Sequence, residues 1–153
     1  MKRPDALVML IELSEKASDE RARSLGNALR REASDQKRLQ LLLDYRGEYL
    51  DKYQKLCGAG ISTASMRNFQ QFLSKLDVAI AQQTSAHSHS QTAAESARAA
   101  LQDAERKRQS FVVLRDRKFA AAATVTARKE QKQHDEWAIQ RTRGTAQLSG
   151  GLD

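Results

Sequence analysis

The fold class this chain predicts is all-α: a long antiparallel two-helix coiled coil, with the C-terminal helix the longer. Three observations lead there. Glycine is nearly absent from two long spans, roughly 5–57 and 61–143 (apart from Gly26 and Gly47), and proline occurs once, at Pro4. Aromatics make up only 5% of the residues while alanine, glutamine, arginine and lysine dominate, so helix formers are plentiful and a thick core cannot be filled. Between Leu39 and Gln83 the apolar residues keep helical spacing on both sides of Gly58-Ala59-Gly60. A helix that stops near Cys57, turns through the glycines and restarts around 62–65 makes the two helices antiparallel neighbours. The expected organisation is one hairpin over 1–153. It has a first helix at 4–57, a turn at 58–62, a second helix at 63–143 and a disordered tail at 144–153.

The elements follow in order. Pro4 suits a first helical turn, and Asp5 suits the positive end of the helix dipole. Residues 7–13, LVMLIEL, are apolar nearly all round, more than a two-helix seam requires. They either pack on the C-terminal helix or form a sticky end that enters a partner. From Ser14 to Arg38 the first helix turns polar, with a modest stripe at Ala17, Ala22, Leu25, Ala28 and Leu29. Small residues bury little area, so this is the softer part of a span that would reach roughly 80 Å at about 1.5 Å per residue. Leu39, Leu42, Leu43, Tyr45, Tyr49, Leu50, Tyr53 and Leu56 then thicken the stripe toward the turn, beyond what one seam uses.

The second helix carries the clearest periodicity. Steps of three and four alternate through Met66, Phe69, Leu73, Leu76, Ile80, Gln83, His87, Ser90, Ala94, Ala97, Leu101, Ala104, Arg108 and Phe111. Such a register makes a left-handed coiled coil. Gln83, His87 and Ser90 place polar residues on the seam, so 84–92 is either a soft stretch of continuous helix or a break. With a turn centred near Ala59, facing positions sum to about 118–120. That sets Tyr49 level with Phe69, Tyr45 with Leu73 and Leu42 with Leu76, and leaves residues beyond about 114 without a first-helix partner.

Charge and chemistry narrow the function. The net charge is +7, and it is uneven: 12 basic and 10 acidic groups lie in 1–57 but 12 and 6 in 96–143. The excess marks either a solvated face or a site for an acidic partner. Basic clusters at Arg106-Lys107-Arg108 and Arg115-Arg117-Lys118 are interrupted by acidic residues and come with no groove-reading module, which argues against nucleic acid. No glycine-rich turn ends in Lys-Ser or Lys-Thr, so a phosphate loop is absent. His87 and His89, two apart, fall on different helix faces and His134 is remote, which makes a poor metal set. The single Cys57 excludes an internal disulfide, and no histidine close in sequence would activate it. No apolar run reaches the roughly 20 residues that span a bilayer. The expectation is a soluble cytoplasmic protein with no catalytic residues, no metal and no cofactor.

The run LLLDYRGEYLDKYQ, the turn GIS and NFQQFLSKLDVAIAQQ together resemble the FliJ family, the small soluble coiled-coil component of the bacterial flagellar export apparatus. EQKQHDEWA, from Glu130 to Ala138, is similar to that family's C-terminal pattern. The resemblance implies an antiparallel coiled coil like the central stalk of rotary ATPases. It implies binding of the hexameric export ATPase FliI at the end carrying both termini, and binding of the membrane export gate protein FlhA elsewhere. These contacts couple the ATPase to proton-driven protein export; the family also escorts substrate-specific export chaperones. Peripheral association with the inner membrane at the flagellar base follows from the gate contact. Carried over by position, the gate-binding residues are Leu42, Tyr45, Tyr49, Phe72, Leu76 and Ala79; the match weakens at Arg38 and Gln83. The spacing agrees in part, since Phe72 flanks the seam position Leu73 while Leu76 lies within the seam. The competing readings are the equivalent stalk of a virulence-type secretion system, a generic dimerising scaffold and a basic nucleic-acid-binding rod.

Overall fold

The computed structural model describes residues 5–150. It consists of two helices, α1 (Ala6–Ala59) and α2 (Thr63–Ser149), packed antiparallel with the second the longer. Both starts are capped. Asp5 is the cap of α1: its carboxylate accepts from the Leu7 N–H at 3.3 Å and its carbonyl from the Met9 N–H at 3.2 Å. Pro4 lies outside the described residues. At the start of α2 the Ser62 hydroxyl accepts from the Ser65 N–H at 3.2 Å, and the Ser62 carbonyl accepts from the Met66 N–H at 3.0 Å.

The turn is shorter than the 58–62 expected. α1 runs through Gly58 and Ala59, and the reversal falls on Gly60, the residue at positive φ (84°). An L side chain is disfavoured there, so Gly60, rather than Gly58, is the glycine the turn requires. The centre of the hairpin moves to about Ile61, while Tyr49 still meets Phe69 as expected. Further from the turn the pairing slides by a few residues: Arg46 meets Asp77 and Ser18 meets Glu105.

Along α2 one open alternative is resolved and one expectation changes. α2 is continuous across 84–92, where several polar side chains in or beside the stretch find a local acceptor or one on α1. Thr84 donates to the Ile80 carbonyl at 2.8 Å, Thr92 to the Ser88 carbonyl at 3.1 Å, and Gln83 to the Asp35 carbonyl at 2.9 Å. α2 also passes Gly144 and runs to Ser149 instead of ending at 143. One glycine costs a helix only about 1 kcal/mol, and the threonines around it fold their hydroxyls back onto helix carbonyls, Thr145 onto Arg141 at 3.2 Å.

The chain divides into two units. Ser14–Arg106 is one; the start of α1 up to Leu13 with α2 from Lys107 onward is the other. In the first, the seam of α2 follows the expected series from Phe69 to Ala104, with Leu76, Ser90 and Ala94 buried and the rest half-buried, while Met66 stays exposed. On α1 the stripe keeps Leu25, Ala28 and Leu39 as expected, but Ser14, Ser18, Glu32 and Asp35 also face inward, and Ala17, Ala22 and Leu29 point out. A three-four step from Ser14 selects that set together with Arg21, which stays exposed, and the alanines at 17 and 22 sit one residue off it. In the second unit Ile11 is buried and Leu7 half-buried, while Val8, Met9, Leu10 and Leu13 are exposed. Lys118 pairs with Asp5 at 2.8 Å, and every described residue of α2 beyond Asp116 is exposed.

Candidate functional site

The aromatic residues gather near the turn. Tyr49 packs against Phe69 and Phe72, with ring centroids 5.0 and 4.6 Å apart; Tyr53 packs on Phe69 at 5.4 Å. Tyr45 meets the edge of Phe72 at 6.1 Å and 78°. Each such pair contributes about 0.5–1.5 kcal/mol beyond the area it buries. The heptad register explains the order of this ladder. Tyr49, Tyr53 and Phe69 occupy seam positions and are half-buried, whereas Tyr45 and Phe72 each flank the seam and remain 48% and 38% exposed.

The six residues carried over as a surface therefore divide by depth. Tyr45 and Phe72 face solvent; Leu42, Tyr49 and Ala79 are half-buried beside them; Leu76, at 6% exposure, is a core residue one turn from Phe72. All six belong to the Ser14–Arg106 unit. One apolar side chain of this face was not singled out by the sequence. Leu41, 60% exposed, lines an open groove of about 450 Å³ with Arg38, Leu42, Tyr45 and Gln83. The signal was the triple Leu41-Leu42-Leu43, since a seam that takes Leu39 and Leu42 must leave Leu41 outside.

Toward the middle of this unit the seam becomes polar. Asp35, on α1, accepts a hydrogen bond from the Ser90 hydroxyl on α2, and that bond holds its carboxyl below the ordinary range, with a smaller contribution from the charges of Arg31 and Arg38. Arg46 pairs with Asp77 at 2.6 Å on one edge of the seam, and the carboxylate keeps the guanidinium protonated more firmly still. His87 lies half-buried on the seam with its Nε2 lacking a hydrogen-bond partner, while His89 is exposed. Tyr53 has its proton held by the Cys57 sulfur one turn on, which pushes the phenol up; Cys57 is exposed and forms no disulfide.

The other unit holds the second motif. Trp137 lies 59% exposed with the Arg141 guanidinium 4.9 Å from its ring, beside an open groove of about 360 Å³ lined by Glu130, Gln133 and His134. Among the described residues no three His, Cys, Asp or Glu side chains are grouped to hold a metal, and no helix is long and apolar enough to cross a membrane.

The class that the fold defines is an antiparallel two-helix hairpin, with Tyr45 and Phe72 open to solvent on one face. The comparison with known proteins makes the class specific. The family described as Flagellar FliJ protein matches residues 2–147, and the chain belongs to it. Two relatives bear the same description. One, from Salmonella typhi, is 32% identical over 138 residues, covering 90% of this chain and 94% of the relative. The other, from Escherichia coli (strain K12), is 30% identical over 133 residues, covering 87% and 90%. Membership makes this chain a component of the flagellar export system.

Proposed function

We propose that the chain is a noncatalytic coupler of flagellar protein export. In this reading it binds the hexameric export ATPase FliI through the unit that carries both termini, and the export gate protein FlhA through the face built from Leu42, Tyr45, Tyr49, Phe72, Leu76 and Ala79. It links ATP hydrolysis to proton-driven export and escorts substrate-specific chaperones. It works in the cytoplasm and meets the inner membrane only through the gate.

The exposure of Tyr45 and Phe72 side by side carries the gate assignment. Aromatic side chains that flank a narrow seam without being consumed by it are what an interface hot spot requires. Leu76 acts from beneath, as packing that holds Phe72 and its neighbours in place. Exposed Val8, Met9, Leu10 and Leu13 on α1, with Phe119 and Trp137 on α2, support the terminal unit as the ATPase contact.

The decisive variant is Phe72→Ala. Its affinity for purified FlhA cytoplasmic region, measured by calorimetry, falls about tenfold or more, while the helical circular dichroism stays that of the wild type. Unchanged gate binding in that variant removes the site assignment.

A further inference from the structure

We infer that the aromatic docking face continues along the hairpin as a cationic groove, and that the segment it receives from the gate partner carries carboxylates beyond its apolar anchor. This deepens the gate-binding reading above and rests on it. The partner chemistry is an acidic peptide segment with one apolar side chain seated on Tyr45 and Phe72. Its carboxylates lie about 10–20 Å further along, the rise over one to two heptads of helix.

The register creates this groove. Arg31, Arg38 and Tyr45 recur every seven residues and so lie on one edge of α1, while Phe72, Ala79, Ala86 and Ala93 recur every seven on the edge of α2. Beyond Phe72 each of those α2 positions is alanine, so nothing bulky closes the edge and these positions of α2 offer the arginines no carboxylate. The opposite edge behaves otherwise: there Arg46 has its carboxylate, Asp77, at 2.6 Å. The open edge is continuous. Arg38 and Gln83 line both the 450 Å³ groove beside Leu41 and Tyr45 and a second of about 540 Å³ that runs on to Arg31 and His89.

The groove sets two arginines against one carboxylate. Asp35 lies between the two arginines and feels both, but its carboxylate already accepts from the Ser90 hydroxyl. Among the described residues neither Arg31 nor Arg38 forms an ion pair. Two guanidinia a heptad apart, each able to take a carboxylate in a bidentate fork, suit an acidic segment laid along the hairpin. At the apolar end the groove fixes position, and at the cationic end it adds charge selectivity and a faster encounter.

The test uses the full chain and the purified cytoplasmic region of the export gate as probe, with binding measured at low and at high salt. R31E/R38E lowers affinity about tenfold or more at low salt, and the loss shrinks as salt rises. R31Q/R38Q moves the same way by less, and it carries the test if charge reversal beside Asp35 impairs folding. The control is R30E/K37E, which changes net charge identically one residue round the helix on its outer face and binds as the wild type does. Equal losses in R31E/R38E and R30E/K37E overturn the groove, because only net charge would then matter. Weakening by Phe72→Ala with full affinity in R31E/R38E also overturns it and leaves the gate-binding reading standing. Full affinity in Phe72→Ala removes that reading and the groove with it. Capture of a single-stranded oligonucleotide that R31E/R38E abolishes, with gate binding intact, reassigns the arginines to nucleic acid and overturns the proposal.

Discussion

Two stretches of the Ser14–Arg106 unit share one register and are held by different chemistry. Near the turn, Tyr49, Tyr53, Phe69 and Phe72 interlock over the buried Leu76, so the helices are joined by apolar area and ring contacts. In the middle, the inward positions include Ser18, Asp35, Gln83, Ser90 and Ala94, joined by Ser18 to Glu105, Gln83 to the Asp35 carbonyl and Ser90 to the Asp35 carboxylate. A buried leucine contributes about 1.5–3 kcal/mol, a net hydrogen bond about 0.5–1.5. The difference teaches that a thin hairpin can be joined by apolar area at one stretch and by hydrogen bonds at another. The aromatic end also leaves apolar surface over, with Phe69 turned into the seam and Phe72 out of it.

The largest effect that separates the two stretches is Leu76→Ala. At 6% exposure in a seam with few other large buried side chains, its loss costs about 2–3 kcal/mol, near the low end of such truncations because a thin seam can close over the gap. Chemical unfolding followed by circular dichroism reads it. A loss no greater than that of Ser90→Ala would break the contrast.

Next come the glycines of the turn, whose signs oppose. Gly60→Ala costs about 1–2 kcal/mol, all of it backbone strain at φ 84°, since no atom lies within 4 Å of the added carbon. Gly58→Ala, at a helical position with equal space, stabilises by about 0.5–1 kcal/mol. Thermal melts of the two variants should move in opposite directions. If both destabilise, the reversal does not turn on Gly60 alone.

Much of this arrangement was legible in the residues. The alternating three and four steps from Phe69 to Phe111 name the positions that are inward on α2, polar ones included, because the geometry of a seam depends on spacing before composition. The pattern on α1 was misread for the same reason. Looking for apolar residues picked out Ala17, Ala22 and Leu29, when spacing alone selects Ser14, Ser18 and Asp35. Asp35 could not be recognised as a seam residue until its partner was known, since an acidic side chain faces inward only where something across from it donates. The turn was misplaced by about two residues because three consecutive small residues all permit a reversal and only φ tells which one makes it. Tyr45 and Phe72 were legible as surplus apolar surface; the alanine edge that opens the groove beside Arg31 and Arg38 needed the pairing of both helices.

The smallest effect is the one that reports most directly on the polar stretch. The Ser90 hydroxyl holds the Asp35 carboxyl below its ordinary value of 3.8, so folding is favoured by the charged form. A depressed carboxyl stabilises the folded chain in full above the ordinary value, and that stabilisation is lost as pH falls through the lower folded value. The thermal midpoint of the wild type is therefore insensitive to Asp35 at neutral pH and declines below about pH 4. In Asp35→Asn the side chain still accepts from Ser90 but no longer titrates, so the acid decline is smaller. Asp5, depressed by Lys118 in the other unit, contributes a decline of its own that Asp35→Asn leaves intact. Leu76→Ala, by contrast, lowers the midpoint by a similar amount across the whole range, because apolar burial carries no proton. An acid limb in Asp35→Asn identical to that of the wild type would mean that the charge of Asp35 does not hold the middle of the hairpin, and the two stretches would then differ in area alone.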